Sequence, residues 1–282
     1  MKKISEPLKV ILNHLEDTTT SSDFTKGLKT GFQSLDQMIN GLKRGELILI
    51  GARPALGKST LALQIAYQSC RESKLPVAYF SSDTLAEDLA FSLLTIASQV
   101  DAKKMRKKEL QAADLKKIVS TTKELTSLPI YINDAYSLSV EEIANQCRTL
   151  KKENDLSLVV VDYLQLIKGD ENCRREEQIG KIMFDLKAMA RELDCPVIIL
   201  SQLSRSVESR PNRRPHLNDF RESGTIEQIA DVILLIYRDE VYNPDTLEPG
   251  IAEIFVAKDR RNGLGTCKLL WKRNYRSFED FR

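Results

Sequence analysis

The run Gly51-Ala52-Arg53-Pro54-Ala55-Leu56-Gly57-Lys58-Ser59 has the spacing G-x-x-x-x-G-K-S, and that spacing points to phosphate chemistry. Glycines let successive backbone N–H groups curl around phosphate oxygens, and a helix opening at the lysine aims its positive end at the same charge. Lys58 is expected to reach the β and γ phosphates of a nucleoside triphosphate, and Ser59 to ligate Mg²⁺. Thr60, the next residue, extends the expected nucleotide-binding segment to 51–60. The context supplies the supports this needs: an apolar strand, Leu47-Ile48-Leu49-Ile50, runs into the loop, and a helical run, Thr60-Leu61-Ala62-Leu63-Gln64-Ile65-Ala66, leaves it. Without them the same residues would read as a glycine turn with an exposed lysine.

Three further polar groups stand where apolar strands end. Leu158-Val159-Val160-Val161-Asp162 is a buried strand carrying a carboxylate at its C-terminal end, where open α/β sheets bind ligands. Asp162 is therefore the expected Walker B acid, holding Mg²⁺ directly or through water. Val77-Ala78-Tyr79-Phe80-Ser81 ends beside Asp83, a candidate base. Val197-Ile198-Ile199-Leu200-Ser201 ends at Gln202, whose amide is placed to contact the γ-phosphate. Each is weak alone; together they surround one phosphate on three sides.

These groups need a scaffold, and the pattern gives one. From Leu28 onward, apolar strands (near 47–50, 77–81, 130–132, 158–161, 197–200 and 232–236) alternate with helices (near 58–70, 85–98, 139–151 and 176–193). Ser139-Val140-Glu141-Glu142 is a capping-box start for the third helix. Alternation of this kind predicts an α/β fold with a mainly parallel sheet covered by helices on both faces. Residues 251–257 and 266–271, flanking Asn262-Gly263, read as antiparallel strands at the C-terminal end.

Residues 4–15 place Ile4, Leu8, Ile11, Leu12 and Leu15 at helical spacing, and Thr18-Thr19-Thr20-Ser21-Ser22 reads as a flexible linker. The expected division is thus 1–26, linker helix and linker, and 27–282, one catalytic domain. The stripe either packs back on its own domain or docks on a neighbouring subunit.

Composition excludes several classes. The 282 residues are 42% hydrophobic with a net charge of +2, ordinary for a soluble globular protein and too mild for a globally basic nucleic-acid binder. No run approaches the ~18–20 apolar residues of a membrane span, and no signal peptide is evident. The five cysteines are scattered and never in a C-x-x-C pair, which argues against a disulfide framework or zinc site and for a reducing, cytoplasmic location.

Five ordered segments carry a resemblance: the phosphate loop, Val161-Asp-Tyr-Leu-Gln-Leu-Ile167, Leu200-Ser-Gln-Leu-Ser-Arg-Ser-Val-Glu208, Arg221-Glu-Ser-Gly-Thr-Ile-Glu-Gln228 and Ile236-Tyr-Arg-Asp-Glu240. Together they resemble the motor domain of the DnaB family of replicative helicases, almost end to end. The resemblance implies a RecA-like P-loop NTPase that forms a hexameric ring, hydrolyses ATP with Mg²⁺ at subunit interfaces and draws single-stranded DNA through its centre, alongside other replication proteins. It implies that the linker helix docks on the adjacent subunit, and that Lys258 and Arg260 complete the neighbour's site, with Arg261 as the alternative finger after a one-residue shift. A solvated basic hairpin is the plainer reading of 258–261.

The same resemblance places DNA-backbone contacts on Arg221, Glu222 and Gly224, which would be blind to base sequence. Arg205, Arg210, Arg213 and Arg214 are candidates for the same channel, and the run Lys103, Lys104, Arg106, Lys107, Lys108 reads mainly as a solvated face. One departure bears on catalysis. Where the family places a catalytic Glu, this chain has Asp83, shorter by one methylene or ~1.5 Å, and a ~1 Å misplacement can cost on the order of 10²-fold. A catalytically weakened ATP-binding paralogue that joins or regulates a ring is therefore the competing expectation. Phe184, Ile229 and the run Arg260-Arg261-Asn262-Gly263-Leu264 also depart from the family pattern.

Overall fold

A computed structural model of the protein describes residues 3–6, 8, 9, 12, 27–170, 172–220 and 223–281. The strands are β1 (Leu47–Ala52), β2 (Val77–Ser81), β3 (Ile130–Asn133), β4 (Leu158–Asp162), β5 (Val197–Gln202), β6 (Val232–Tyr237), β7 (Ile251–Asp259), β8 (Gly265–Lys272) and β9 (Ser277–Asp280). Among the described residues they form one nine-stranded sheet in the order β3-β2-β4-β5-β1-β6-β7-β8-β9. The first six are parallel, and β7, β8 and β9 are added antiparallel.

The central strands are apolar on both faces because both are covered. In β1, Ile48 and Ile50 join one core with Leu61 and Ile65, whereas Leu47 and Leu49 join the other with Met183 and Leu186. Alternate residues of a strand point to opposite sides, so a continuous apolar run is what a two-sided core demands. The helices doing the covering are α1 (Gln33–Ile39), α2 (Lys58–Ser73), α3 (Ala86–Ser98), α4 (Ala102–Lys107), α5 (Ala112–Thr126), α6 (Val140–Glu153), α7 (Arg175–Glu192) and α8 (Ser223–Ile229). The expected capping box is present at the start of α6, where Ser139 accepts from the Glu142 N–H and the Glu142 carboxylate accepts from the Ser139 N–H.

The sequence pattern left α1, α4, α5, α8 and β9 unassigned. In α5 only Thr121 is buried; its apolar stripe, Leu115, Ile118, Val119 and Leu125, is mostly left exposed or half-buried, with Leu125 packed against the core. The start of α4 is set by Asp101, whose carboxylate accepts from the N–H groups of Lys103 and Lys104; the basic run that follows is exposed, as a solvated face should be.

Of the N-terminal stripe, Ile4, Leu8 and Leu12 are exposed, and the Leu8 N–H donates to the Ile4 carbonyl in a helical turn. Ile11, Leu15 and the Thr18–Ser22 linker lie outside the described residues.

Candidate active site

Parallel strands bring their C-terminal ends to one edge. Ala52 is in register with Gln202 and Ser81 with Asp162, so three of the expected polar ends arrive side by side with the phosphate loop. A cavity of about 580 Å³ opens there, lined by Ala52 to Ala55, Gly57 to Thr60, Asp83, Tyr163 and Gln202. Gly51 and Leu56 do not line it: both are buried and shape the loop from behind.

Gly57 has φ of 102° and caps α2 without a side-chain acceptor. A Cβ there would also fall 2.6 Å from the Phe278 ring, so glycine is required twice over. The first N–H groups of α2 have no intrahelical acceptor and face the cavity with the helix's positive end. Arg53 plays a different part from the loop residues around it. Its guanidinium is buried and donates to Glu208 at 2.8 Å and to the Leu203 carbonyl at 2.8 Å, tying the loop to the segment after β5.

Lys58 Nζ donates to Asp162 Oδ1 at 3.0 Å and lies 4.9 Å from the Tyr163 ring centroid. The other Asp162 oxygen accepts from the Tyr79 hydroxyl at 3.3 Å. Burial, reinforced by the Asp162 charge, raises the Tyr79 hydroxyl well above its usual pKa, so it remains a donor. Burial and the charges of Asp83 and Asp162 likewise raise Tyr163. The Gln202 N–H donates to Gln165 Oε1 at 3.3 Å, and the Gln165 amide donates to the Ser201 hydroxyl at 2.9 Å, which fixes the backbone that presents the Gln202 side chain.

The residues fit a Mg²⁺ ion carried in with a nucleotide. Ser59 lines the cavity and Asp162 lies buried behind Lys58, which bonds it at 3.0 Å; among the described residues no cluster of three or more His, Cys, Asp or Glu forms a cage of its own. Mg²⁺ with substrate phosphates typically takes one or two protein oxygens plus waters.

The structure adds groups that sequence reading missed. Trp271, Arg273 and Arg276, from β8 and the turn after it, also line the cavity. Trp271 packs on Phe278 with ring centroids 4.8 Å apart, and Gln64 of α2 donates to the Phe278 carbonyl at 2.9 Å and accepts its N–H at 2.7 Å. These residues lie more than 200 positions from the loop they face; only the return of β9 against α2 brings them there.

Lys258 and Arg260 do not line this cavity. Lys258 donates to the carbonyls of Glu227 and Ala230 at the end of α8, and Arg260 to that of Gln228. Desolvation, with the neighbouring Arg260 charge, lowers the Lys258 pKa. The Arg260 N–H donates to the Asp231 carbonyl, level with the first residue of β1, whereas the phosphate loop follows its last. At ~3.3 Å per residue that is roughly 16 Å along the strand. Arg261 instead pairs with Glu46 at 2.9 Å.

Of the expected DNA contacts, Arg221 and Glu222 lie outside the described residues. Gly224 is exposed in the first turn of α8, with open space where a Cβ would stand. The arginine loop, a candidate for the DNA channel, is largely tied down by its own chain. Arg210 pairs with Asp219 at 2.7 Å, Arg214 with Glu253 at 2.5 Å, and Arg213 donates to the Tyr242 carbonyl at 3.3 Å; the carboxylates that hold Arg210 and Arg214 are buried. Of the four, Arg205 alone is exposed.

Comparison with known proteins follows this geometry. The model of the DnaB-like helicase C-terminal domain matches residues 27–280. Replicative DNA helicase DnaB of Geobacillus stearothermophilus is 39% identical over 98% of this chain and 62% of its own length. Replicative DNA helicase DnaC of Bacillus subtilis is 38% identical over the same shares, 98% and 62%, so the chain spans about three fifths of these relatives. A solved DnaB-like replicative helicase, described with its interactions with primase, superposes with a TM-score of 0.90 at 34% identity, over 100% of this chain and 68% of that one. A solved ATPase domain superposes over 100% of both chains with a TM-score of 0.94, also at 34% identity. A KaiC-like protein from Pyrococcus horikoshii, at 17% identity and TM-score 0.62 over 92% of this chain and 100% of that one, shares the fold alone.

Proposed function

The chain belongs to the DnaB-like helicase C-terminal domain family, and from that premise we propose that it is an ATP-driven DNA motor whose catalytic sites are shared between subunits of a ring. The phosphate loop holds the triphosphate through its N–H groups. Lys58 exchanges its bond to Asp162 for the β and γ phosphates, and Asp162 and Ser59 hold Mg²⁺, which neutralises charge on the phosphates. Asp83 accepts a proton from the attacking water, and Gln202 senses the γ-phosphate. Arg221, Glu222 and Gly224 hold the backbone of single-stranded DNA. The linker-helix stripe docks on the next subunit of a six-membered ring, which works among other replication proteins in the cytoplasm.

The observation that carries this reading is the distance between two parts of one chain. Lys258 and Arg260 stand at the end of the sheet opposite their own phosphate loop, so a cation from them reaches a transferring phosphoryl group only in a neighbour. The same two residues cap α8, the helix that opens at the DNA-binding motif, so finger and DNA element move as one piece.

Mixing variants tests this. Lys58→Ala chains and Arg260→Ala chains are each expected to be inactive, and their mixture to recover part of the single-stranded-DNA-stimulated ATPase, because some interfaces then combine an intact loop with an intact finger. A mixture as inactive as its parts, or full activity in Arg260→Ala alone, sinks the shared site. The second reading, a weakened paralogue, is favoured by Asp83 and exposed by the unmixed wild type: tight ATP binding with negligible turnover, with or without DNA.

A further inference from the structure

A second cavity, of about 260 Å³, lies beside the nucleotide cavity between the start of α4 and the β8–β9 turn. The two cavities share Arg273 and Arg276 as a common wall. Lys103 and Arg106 of α4 line the far side, with Asp101. The halves are pinned together by the Ala102 N–H, which donates to the Asn274 carbonyl at 3.0 Å.

Four cations thus face one carboxylate, and that carboxylate is occupied. Asp101 Oδ1 accepts from the Lys103 and Lys104 N–H groups at 2.7 and 3.2 Å. Among the described residues none of Lys103, Arg106, Arg273 or Arg276 forms an ion pair, although seventeen other pairs bind the cations of this chain. Arg106 packs over the Phe91 ring at 5.2 Å and Arg273 interacts with the Glu240 charge, yet four cations against one carboxylate leave a net positive cluster, and like charges repel. At ~30 Å³ of liquid volume per water, the cavity has room for a phosphate group, and forked guanidinium groups suit phosphate oxygens.

We propose that this cavity is a second phosphate site opening into the nucleotide site, and that it takes a phosphate carried on the ribose of the bound nucleotide or a free phosphate beside it. The proposal rests on the phosphate loop holding a nucleotide's 5′-phosphates, with ribose and base extending toward Trp271, Arg273 and Arg276. A further phosphate on the ribose 2′ or 3′ hydroxyl then projects past the shared arginines toward Lys103 and Arg106.

Binding of ADP and of ADP bearing a 3′-phosphate is to be measured by calorimetry on the whole chain, wild type and the Lys103→Ala/Arg106→Ala variant, whose altered side chains are exposed and whose fold is checked by its urea denaturation. Two cations acting on one phosphate are expected to make the 3′-phosphorylated ligand roughly tenfold tighter than ADP in the wild type only. A second arm titrates pyrophosphate into ADP-saturated protein: binding that the variant loses assigns the site to a free phosphate. Equal affinities for both nucleotides together with no pyrophosphate binding, or preferences unchanged in the variant, overturn the proposal. Failure of ADP itself to bind, with Lys58→Ala no different, refutes the nucleotide reading underneath it instead; should pyrophosphate still bind in a Lys103-dependent way, the phosphate site stands alone.

Discussion

Two buried lysine–aspartate pairs stand at opposite ends of the parallel strands, and they are built differently. At the C-terminal edge Lys58 meets Asp162 at 3.0 Å, with the Tyr163 ring as its other neighbour; the rest of its donors face an open cavity. At the N-terminal edge Lys187 meets Asp231 at 2.5 Å and also donates to the Gly45 carbonyl at 2.7 Å. Asp231 in turn accepts from the Leu47 N–H at 2.8 Å and pairs with Arg260 at 3.6 Å. A pair with unspent hydrogen-bonding capacity beside a cavity can change partners when an anion arrives. A pair whose capacity is spent is a strut, and this one joins α7, the start of β1 and the segment bearing Arg260. One end of the sheet is left unsatisfied to bind, and the other is satisfied to hold.

If that contrast is right, loss of the buried strut carboxylate should show in stability, and loss of a group offered to a phosphate, in its own chain or in a neighbour, should show in turnover. Asp231→Ala leaves the buried Lys187 without its counter-charge, with only the Gly45 carbonyl to accept from it, and is expected to lower the unfolding free energy by about 3–5 kcal/mol, read by urea denaturation; a loss below about 1 kcal/mol would put the strut on the same footing as a surface pair. Arg260→Ala should lower ATPase on the order of 10³-fold, as removal of a finger does, while ADP affinity measured by calorimetry stays unchanged. Lys58→Ala should reduce kcat by about 10²–10³-fold, the scale of one lost donor to the transition state. Its stability should stay within about 1 kcal/mol of wild type, because Lys58 lines the cavity and its removal opens Asp162, which keeps the Tyr79 hydroxyl as a donor, to the same solvent. The smallest change sharpens the catalytic edge alone: Asp83→Glu should raise ATPase by up to about 10²-fold, and an unchanged or lower rate would show that Asp83 is not a shortened base.

The catalytic edge was the more legible of the two. A phosphate loop and a strand ending in Asp162 announce themselves because local spacing and burial suffice to describe them. Gln202 was found the same way, from the polar residue that stops an apolar run. The strut was not legible: Asp231 reads as an unremarkable residue before a strand, and its three partners come from sequence positions 47, 187 and 260. The partners of the arginine loop were hidden for a related reason. Charge and proline suggest exposed surface, yet Arg210 and Arg214 found carboxylates that lie 9 and 39 residues away. Helix α4 is too short to show a stripe, and the stripe of α5, Leu115, Ile118, Val119 and Leu125, sits between polar runs that read as connection rather than as a covering helix.

By itself, the order of residues determined the α/β class, the strands whose polar C-terminal ends meet at one edge, and the loop with phosphate-binding spacing, since each depends on neighbours a few positions apart. Tertiary structure alone decided which cations are paired, that Trp271, Arg273 and Arg276 line the cavity beside the phosphate loop, and that Lys258 and Arg260 stand at the opposite end of the sheet from that loop. Those outcomes depend on strand order and on the antiparallel return of β7 to β9, which brings distant residues within bonding distance and which no local pattern encodes.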